Sequence, residues 1–311
     1  MDNLTFQEQP FGKFDIKEIS DKHYISYDFW GRVIDFLRLF ASTMSICASV
    51  VLIYVIIKIK RLRSRTNNYI LHYAISALIF YTFTTAFEIL LHCGLHNLIS
   101  GRVFCMLFNI ESVCLSLTFT FAAALSVDWL ILVTKESWLE RYGRIQKYLI
   151  VCIYLVHITE YSLVVSSCFD KHIVAENSTT LVIYCLASFT VLAVNAFTYF
   201  KKPSGDCIRY RYSLTISTFL VLIWIPVVVF AVFVIQYLYF PENIIIRIFV
   251  LPFEILLAVV VHGVPIITAF WLSYISHDFS QAFNTVFKRP SSTPDDLDDD
   301  EENALVQSEN N

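Results

Sequence analysis

The stretch ASVVLIYVIIKIKRLRSRTN at 48–67 runs straight into NYILHYAISALIF at 68–80. An aliphatic run ends on Lys58, Lys60, Arg61, Arg63 and Arg65, and a second apolar run begins within a few residues. Uncharged apolar residues over ~20 positions can cross the ~30 Å core of a bilayer as a helix, which satisfies every backbone N–H and C=O within the segment. Lysine and arginine clustered between two such runs mark a short cytoplasmic loop. The stretch therefore reads as two membrane helices joined by a basic inner turn.

Runs of the same character fall at about 33–57, 69–92, 103–134, 146–168, 180–200, 206–239 and 244–275. The third, sixth and seventh are long enough to tilt or to project beyond the membrane. A chain that is 56% hydrophobic and 16% charged has too little polar surface for a soluble exterior around helices of this length. The expected fold is an all-α membrane protein: a seven-transmembrane-helix bundle over 33–275 with a short amphipathic eighth helix over 276–289. An arm, 1–32, precedes the bundle and an acidic, disordered tail, 290–311, follows it. The arm is polar and mixed in charge, unlike a cleavable signal, so the first span is expected to do the targeting.

Basic residues near span ends set orientation. Beyond the loop after span one, they follow span three (Lys135, Arg141, Arg144, Lys147), span five (Lys201, Lys202, Arg209, Arg211) and span seven (Lys288, Arg289). The opposite loops hold Arg102, Lys171 and Arg247. A plasma-membrane protein with its N-terminus outside and C-terminus inside is expected. The Asn-x-Ser/Thr glycosylation acceptors Asn3 and Asn177 both fall on the outer side of that topology.

Residue by residue, 48–80 resembles the first two helices of rhodopsin-like G-protein-coupled receptors: an aliphatic run, a basic loop, Thr66-Asn67, then Tyr73-Ala-Ile-Ser-Ala77-Leu78 where that family has Leu-Ala-x-Ala-Asp-Leu. Cys105 resembles the family's disulfide cysteine at the outer start of span three, Trp224-Ile225-Pro226 its Trp-x-Pro switch, and Pro265 the proline of its Asn-Pro-x-x-Tyr segment. The resemblance implies a receptor that takes an extracellular ligand and passes a conformational change to a heterotrimeric G protein. Its implied switch residues are Trp224, Pro226 and Pro265, and its implied cytosolic coupling residues are Asp128, Arg63 and Arg65. The implied disulfide joins Cys105 to the second outer loop through Cys168, with Cys93 as the rival partner of either.

The departures are as specific. Ser49 and Ala77 stand where the family has an asparagine and an aspartate, and Val264 precedes Pro265, so no sodium site is expected between these helices. Asp-Arg-Tyr becomes Asp128-Trp129-Leu130, and Thr268 replaces the tyrosine after Pro265. The arginine that would engage a G protein and an acid of span six is absent. The erosion is similar to that of divergent invertebrate chemoreceptors. It also keeps open a receptor-like protein without G-protein signalling, acting as decoy or partner subunit. A seven-helix channel or carrier is the remaining alternative, although the internal repeats and paired broken helices of carriers are not visible in the chain.

Pro226 lacks an N–H and clashes with the preceding turn, so it predicts a kink in span six with Trp224 just inward of the bend. There the indole either senses ligand or is ordinary packing. Ionisable residues inside spans are costly and mark cavities or partners. Glu88 and Glu254 each lie eleven residues outward of a helix reference point, Ala77 or Pro265, roughly 16 Å along the axis. Both are candidates for a pocket that takes a cationic ligand; the competing reading shares a proton between them or pairs them with Arg247 or His92. Ser112 lines the same pocket where the family's amine receptors carry an aspartate, so a biogenic-amine site is not expected. His157 and Glu160, three apart on span four, are expected to hydrogen-bond to each other.

Cys47, Cys114, Cys152 and Cys185 read as small apolar packing residues within spans. After span seven, Ser276 is placed to cap a helix with Phe279, Phe283, Val286 and Phe287 on one face, lying along the inner leaflet. No metal-ligand spacing, phosphate loop or nucleophile–base arrangement suggests an enzyme, and no cofactor is expected; span seven has no lysine for a retinal Schiff base. Anionic membrane lipid accounts for the basic loops, so no nucleic-acid partner is expected.

Overall fold

The computed structural model describes residues 21–92, 100–134, 139–169, 177–200, 211–229 and 259–287. Among them the chain forms helices α1 (Asp21–Lys58), α2 (Arg65–His92), α3 (Gly101–Thr134), α4 (Leu139–Ser167), α5 (Asn177–Phe200), α6 (Arg211–Leu222), α7 (Val264–Ile275) and α8 (His277–Phe287). One 3-10 turn, Lys60–Leu62, links α1 to α2, and the described residues hold no strand.

Among the described residues six helical segments are long and apolar enough to cross a membrane: Arg32–Lys58, Arg65–Leu90, Arg102–Thr134, Ile145–Ser166, Thr179–Phe200 and Arg211–Val229. The molecule thus has the length and composition of an all-α, multi-pass membrane protein. Helix α7 is apolar but covers 12 residues, or about 18 Å of rise. Residues 244–258 of the seventh apolar run, Glu254 among them, lie outside the described residues.

Helix α3 is the centre of the bundle, packing against α2, α4, α5 and α6, while α1 packs on α2 and α7, and α6 on α5 and α7. Its core face is built from small and aromatic residues: Ser116, Phe121, Ala122, Leu125, Ser126 and Trp129 are all 1% exposed or less. Small residues let helix backbones approach closely where apolar association has no water to exclude. Some of their hydroxyls turn back onto their own helix, as Ser76 does to the Tyr73 carbonyl (2.9 Å) and Ser126 to that of Ala123 (2.7 Å), while Ser116 donates across to Thr180 of α5 (3.1 Å). The outward faces are the reverse of a soluble protein's: Tyr148, Val156 and Leu163 of α4, and Leu186 and Phe189 of α5, are all exposed. A contiguous apolar exterior of this kind is what lipid covers. Cys47, Cys152 and Cys185 lie on such exposed faces, and among the four intramembrane cysteines packing describes Cys114 alone.

Helix α8 presents its apolar face to the bundle. Phe279 and Ala282 are buried and Phe283 and Val286 pack beside them, but Phe287, expected on that face, is exposed. An Arg61–Asp278 ion pair at 2.6 Å and an Arg61–Gln281 hydrogen bond at 3.0 Å tie α8 to the loop after α1.

Cys105 and Cys168 form a disulfide with their Cα atoms 5.9 Å apart, joining the start of α3 to the turn after α4 and settling the choice against Cys93. Arg102 lies over the Phe169 ring at 5.6 Å beside it. A bridge closing a loop of this size stabilises by about 2–5 kcal/mol. Cys105→Ser should therefore lower the thermal midpoint of purified protein, and reductant should lower that of the wild type while leaving a Cys105→Ser/Cys168→Ser protein unchanged.

Candidate functional site

Polar side chains gather in three layers between the basic end of the bundle, marked by Arg63 and Arg65, and the disulfide end. At the basic end Asp128 of α3 is 1% exposed and faces Arg65 at the start of α2, with Arg65 Nε 2.8 Å from Asp128 Oδ1. The two form a largely buried ion pair. Thr66 donates to the other carboxylate oxygen at 2.8 Å. The Arg65 guanidinium lies over the Tyr142 ring at 5.2 Å, Tyr142 and Tyr69 share a hydroxyl hydrogen bond at 2.9 Å, and Gln146 donates to the Arg65 carbonyl at 2.8 Å. Helices α2, α3 and α4 are thus pinned together at one point.

Arg63 does not join them; it folds back onto the Ile57 carbonyl through Nε and Nη2. Trp129 donates to Thr198 of α5 at 3.2 Å. The start of α6 is held by a neutral contact, Tyr212 donating to Asn67 of α2 at 2.7 Å.

In the middle layer both proline-bearing helices break. Pro226 cannot donate to the Leu222 carbonyl, and α6 ends at Leu222; Ile223 and Trp224 form a turn before helix resumes at 225–229. Trp224 N–H reaches back only three residues, to Val221, at 3.3 Å, and the Tyr184 hydroxyl of α5 donates to the same carbonyl at 3.1 Å. The second break has the same form. Pro265 releases the Val261 carbonyl, which accepts from the Tyr81 hydroxyl of α2 at 2.6 Å. Ser45 of α1 donates to the His262 carbonyl, and Ser42 hydrogen-bonds His262 Nδ1 at 2.7 Å. At the second break a neighbouring helix thereby satisfies the carbonyl that Pro265 sets free, as a lipid environment demands; at the first, Tyr184 shares the Val221 carbonyl with the Trp224 N–H.

Trp224 is 7% exposed and packs edge-on against Phe119 (5.3 Å) and Phe80 (6.5 Å), with Tyr184 edge-on to Phe119 at 5.0 Å. The indole is therefore a core contact between α2, α3, α5 and α6, eight residues along α2 from the level of Glu88, or about 12 Å.

Toward the disulfide end, Glu111 of α3 accepts from Thr84 of α2 at 2.9 Å. Glu88 sits one turn further along α2, with Asp35, Arg38 and Glu111 as charged neighbours and its Oε2 buried without a hydrogen bond. Ser112 faces α5, where its carbonyl accepts from Thr180 at 3.4 Å. Asn109 lies beneath the disulfide, donating to the Cys105 carbonyl at 2.8 Å. Asn177 heads α5 at this same end; Asn3 and Glu254 lie outside the described residues. No protein-family model matches the chain, and no curated protein matches it.

The structure thus brings Arg65 to Asp128 and leaves Arg63 apart, and it places Glu88, Ser112 and Trp224 at separate points along the bundle. On α4, His157 bonds Glu160 at 2.7 Å as its spacing predicts, and also Thr120 of α3 at 2.9 Å. Tyr81, Tyr184 and His262 were not singled out from sequence. For Tyr81 the nearest signal was Pro265, which says that the carbonyl four residues earlier, Val261, needs a new donor but not which helix supplies it; Tyr184 meets Val221, five residues before Pro226, and had no such signal.

Proposed function

We propose that this protein is a divergent, rhodopsin-like seven-span receptor of the plasma membrane that binds an extracellular ligand and passes a change in helix angle to a cytosolic partner. The observation that carries the reading is the pair of broken helices. Breaks in α6 and α7, each with a carbonyl that accepts a tyrosine hydroxyl from a neighbouring helix, are points where an α-helix can pivot. They lie between an acidic cluster at one end and an ion-paired anchor at the other. In this reading the disulfide end, with Asn177, faces outside. Residues 244–275 make the seventh span, and α8 lies at the inner leaflet as an eighth helix.

Glu88, with its unpartnered buried oxygen, and Glu111 supply negative charge for a cationic ligand, and Glu254 is proposed to add to it. Pro226 and Pro265 are the pivots, and Trp224 transmits movement through Phe119 and Phe80 as part of the packed core. A heterotrimeric G protein is the proposed cytosolic partner. A second reading, a receptor-like protein that does not signal, is favoured by one observation: Asp128 is engaged by Arg65 and Leu130 stands beside Trp129, so α3 offers no free arginine at its basic end.

Second-messenger output of surface-expressed protein over a panel of cationic ligands separates the two. A receptor responds, and Glu88→Gln weakens the response about tenfold or more in ligand concentration, the loss expected for one charge-assisted contact. Normal surface delivery with a flat response to every ligand favours the silent protein.

A further inference from the structure

A cleft of about 350 Å³ opens at the basic end between the end of α1, the start of α2 and α4, lined by Ile56, Ile57, Arg63, Ser64, Arg65, Asn68, Leu71 and Gln146. Its chemistry is divided. Ile57 and Leu71, backed by the buried Ile56, form an apolar wall beside the exposed apolar face of α1, where Val50, Tyr54 and Ile57 are about half exposed. Arg63, Arg65, Ser64, Asn68 and Gln146 form a polar rim, and none of the described residues that line the cleft is acidic. The charge of Arg65 is balanced by Asp128 from behind. That of Arg63 faces no carboxylate among the described residues: Nε and Nη2 rest on the Ile57 carbonyl, and Nη1 is left available. The Asn68 side-chain amide is likewise unengaged by the described residues, while its backbone N–H bonds the Ser64 carbonyl.

We infer that this cleft is a binding site for one anionic glycerophospholipid of the leaflet at the basic end. Its phosphate is held by Arg63 and Asn68, and an acyl chain lies along Ile56, Ile57 and Leu71. Guanidinium N–H groups match phosphate oxygens in geometry and charge, and an apolar wall that meets the rim at the end of a membrane span suits the junction of headgroup and chain. A free phosphate would use the rim and leave the wall bare; a sterol would use the wall and leave Arg63 without an anion. The occupant would also bridge α1 to α2 and α4, beside the Arg65–Asp128 anchor. This inference rests on the membrane-spanning arrangement proposed above but not on signalling. A protein that is silent in second-messenger assays yet lipid-selective would remove the receptor reading and leave this one standing.

The test titrates full-length protein in neutral detergent micelles with phosphatidylinositol 4-phosphate, phosphatidylcholine or soluble inositol phosphate and counts bound molecules by native mass spectrometry. The anionic lipid should bind about tenfold or more tighter than phosphatidylcholine, the range of one charge-assisted contact. Arg63→Gln with Asn68→Leu should bring it to the phosphatidylcholine level. Arg63→Gln also removes the contact to the Ile57 carbonyl, so Asn68→Leu alone, which keeps that contact, should weaken anionic-lipid binding in the same direction with an unchanged thermal midpoint. Lys60→Gln, which removes an exposed charge from the same loop outside the cleft, should change binding less than about twofold, as screening of surface charge allows. Four results would overturn the inference: equal binding of the two lipids, no effect of the double replacement, a loss with Lys60→Gln as large as with the double replacement, or soluble inositol phosphate competing as well as the lipid.

Discussion

Asp128→Ala is expected to destabilise the protein by about 3–5 kcal/mol, because it leaves the Arg65 guanidinium in a largely buried position with no counter-charge. The side chains are 16% and 1% exposed, so water can do little to replace either partner. The same substitution takes the acceptor from Thr66, a further cost of about 1–3 kcal/mol if its hydroxyl finds no other partner. Arg65→Ala should cost a similar amount by stranding the carboxylate. Replacing both, Asp128→Leu with Arg65→Met, should cost less than either single change, since most of the penalty is that of an unpaired buried charge and not the loss of a strong attraction. Asp128→Asn should fall between, keeping an acceptor for Thr66. Thermal unfolding of purified protein in detergent reads all four, and equal losses in the single and double replacements would show that the pair is not what pins α2, α3 and α4.

Gly263→Ala is the second large effect. A Cβ at this position would lie 2.8 Å from the Val259 carbonyl oxygen, and a backbone atom cannot swing aside as a flexible side chain can. The turn must open, at about 1–3 kcal/mol for the overlap itself. Opening it moves the Val261 and His262 carbonyls away from Tyr81 and Ser45, which adds a comparable amount for acceptors left in an apolar interior. Tyr81→Phe isolates the second contribution, since it removes one donor and leaves the turn in place. Gly263→Ala should therefore lower the thermal midpoint more than Tyr81→Phe, and in the proposed receptor it should blunt any ligand response even at normal surface level. A neutral Gly263→Ala would mean that the α7 break is loose.

The spans were legible because lipid imposes a simple rule: an uninterrupted apolar helix, bounded by charge. The expected 33–57, 103–134, 146–168 and 180–200 lie within two residues of the segments Arg32–Lys58, Arg102–Thr134, Ile145–Ser166 and Thr179–Phe200. The break in α6 was legible for an equally local reason, the missing N–H of Pro226. Partners across the bundle were not. Arg65 and Asp128 are 63 positions apart, and nothing local distinguishes Arg65, which turns inward to Asp128, from Arg63, which turns back to Ile57. That difference follows from where the 3-10 turn Lys60–Leu62 leaves the chain and from which face α2 turns to α3. Trp224 shows the same limit. Its place inward of a proline follows from sequence, but its burial against Phe119 and Phe80 depends on how α2, α3 and α6 are rotated. Glu88 was found as a charge out of place in an apolar run; the neighbour that shares its environment, Glu111, is set by the Thr84 contact between α2 and α3.

The most direct test of the proposed architecture is one of parity. Six crossings return the C-terminus to the side of the N-terminus, and seven do not. With one epitope tag at each end, antibody binding to intact and to permeabilised cells should label the N-terminal tag in both and the C-terminal tag only after permeabilisation. Both tags reached from the same side of the plasma membrane would contradict a seventh span, and with it the receptor.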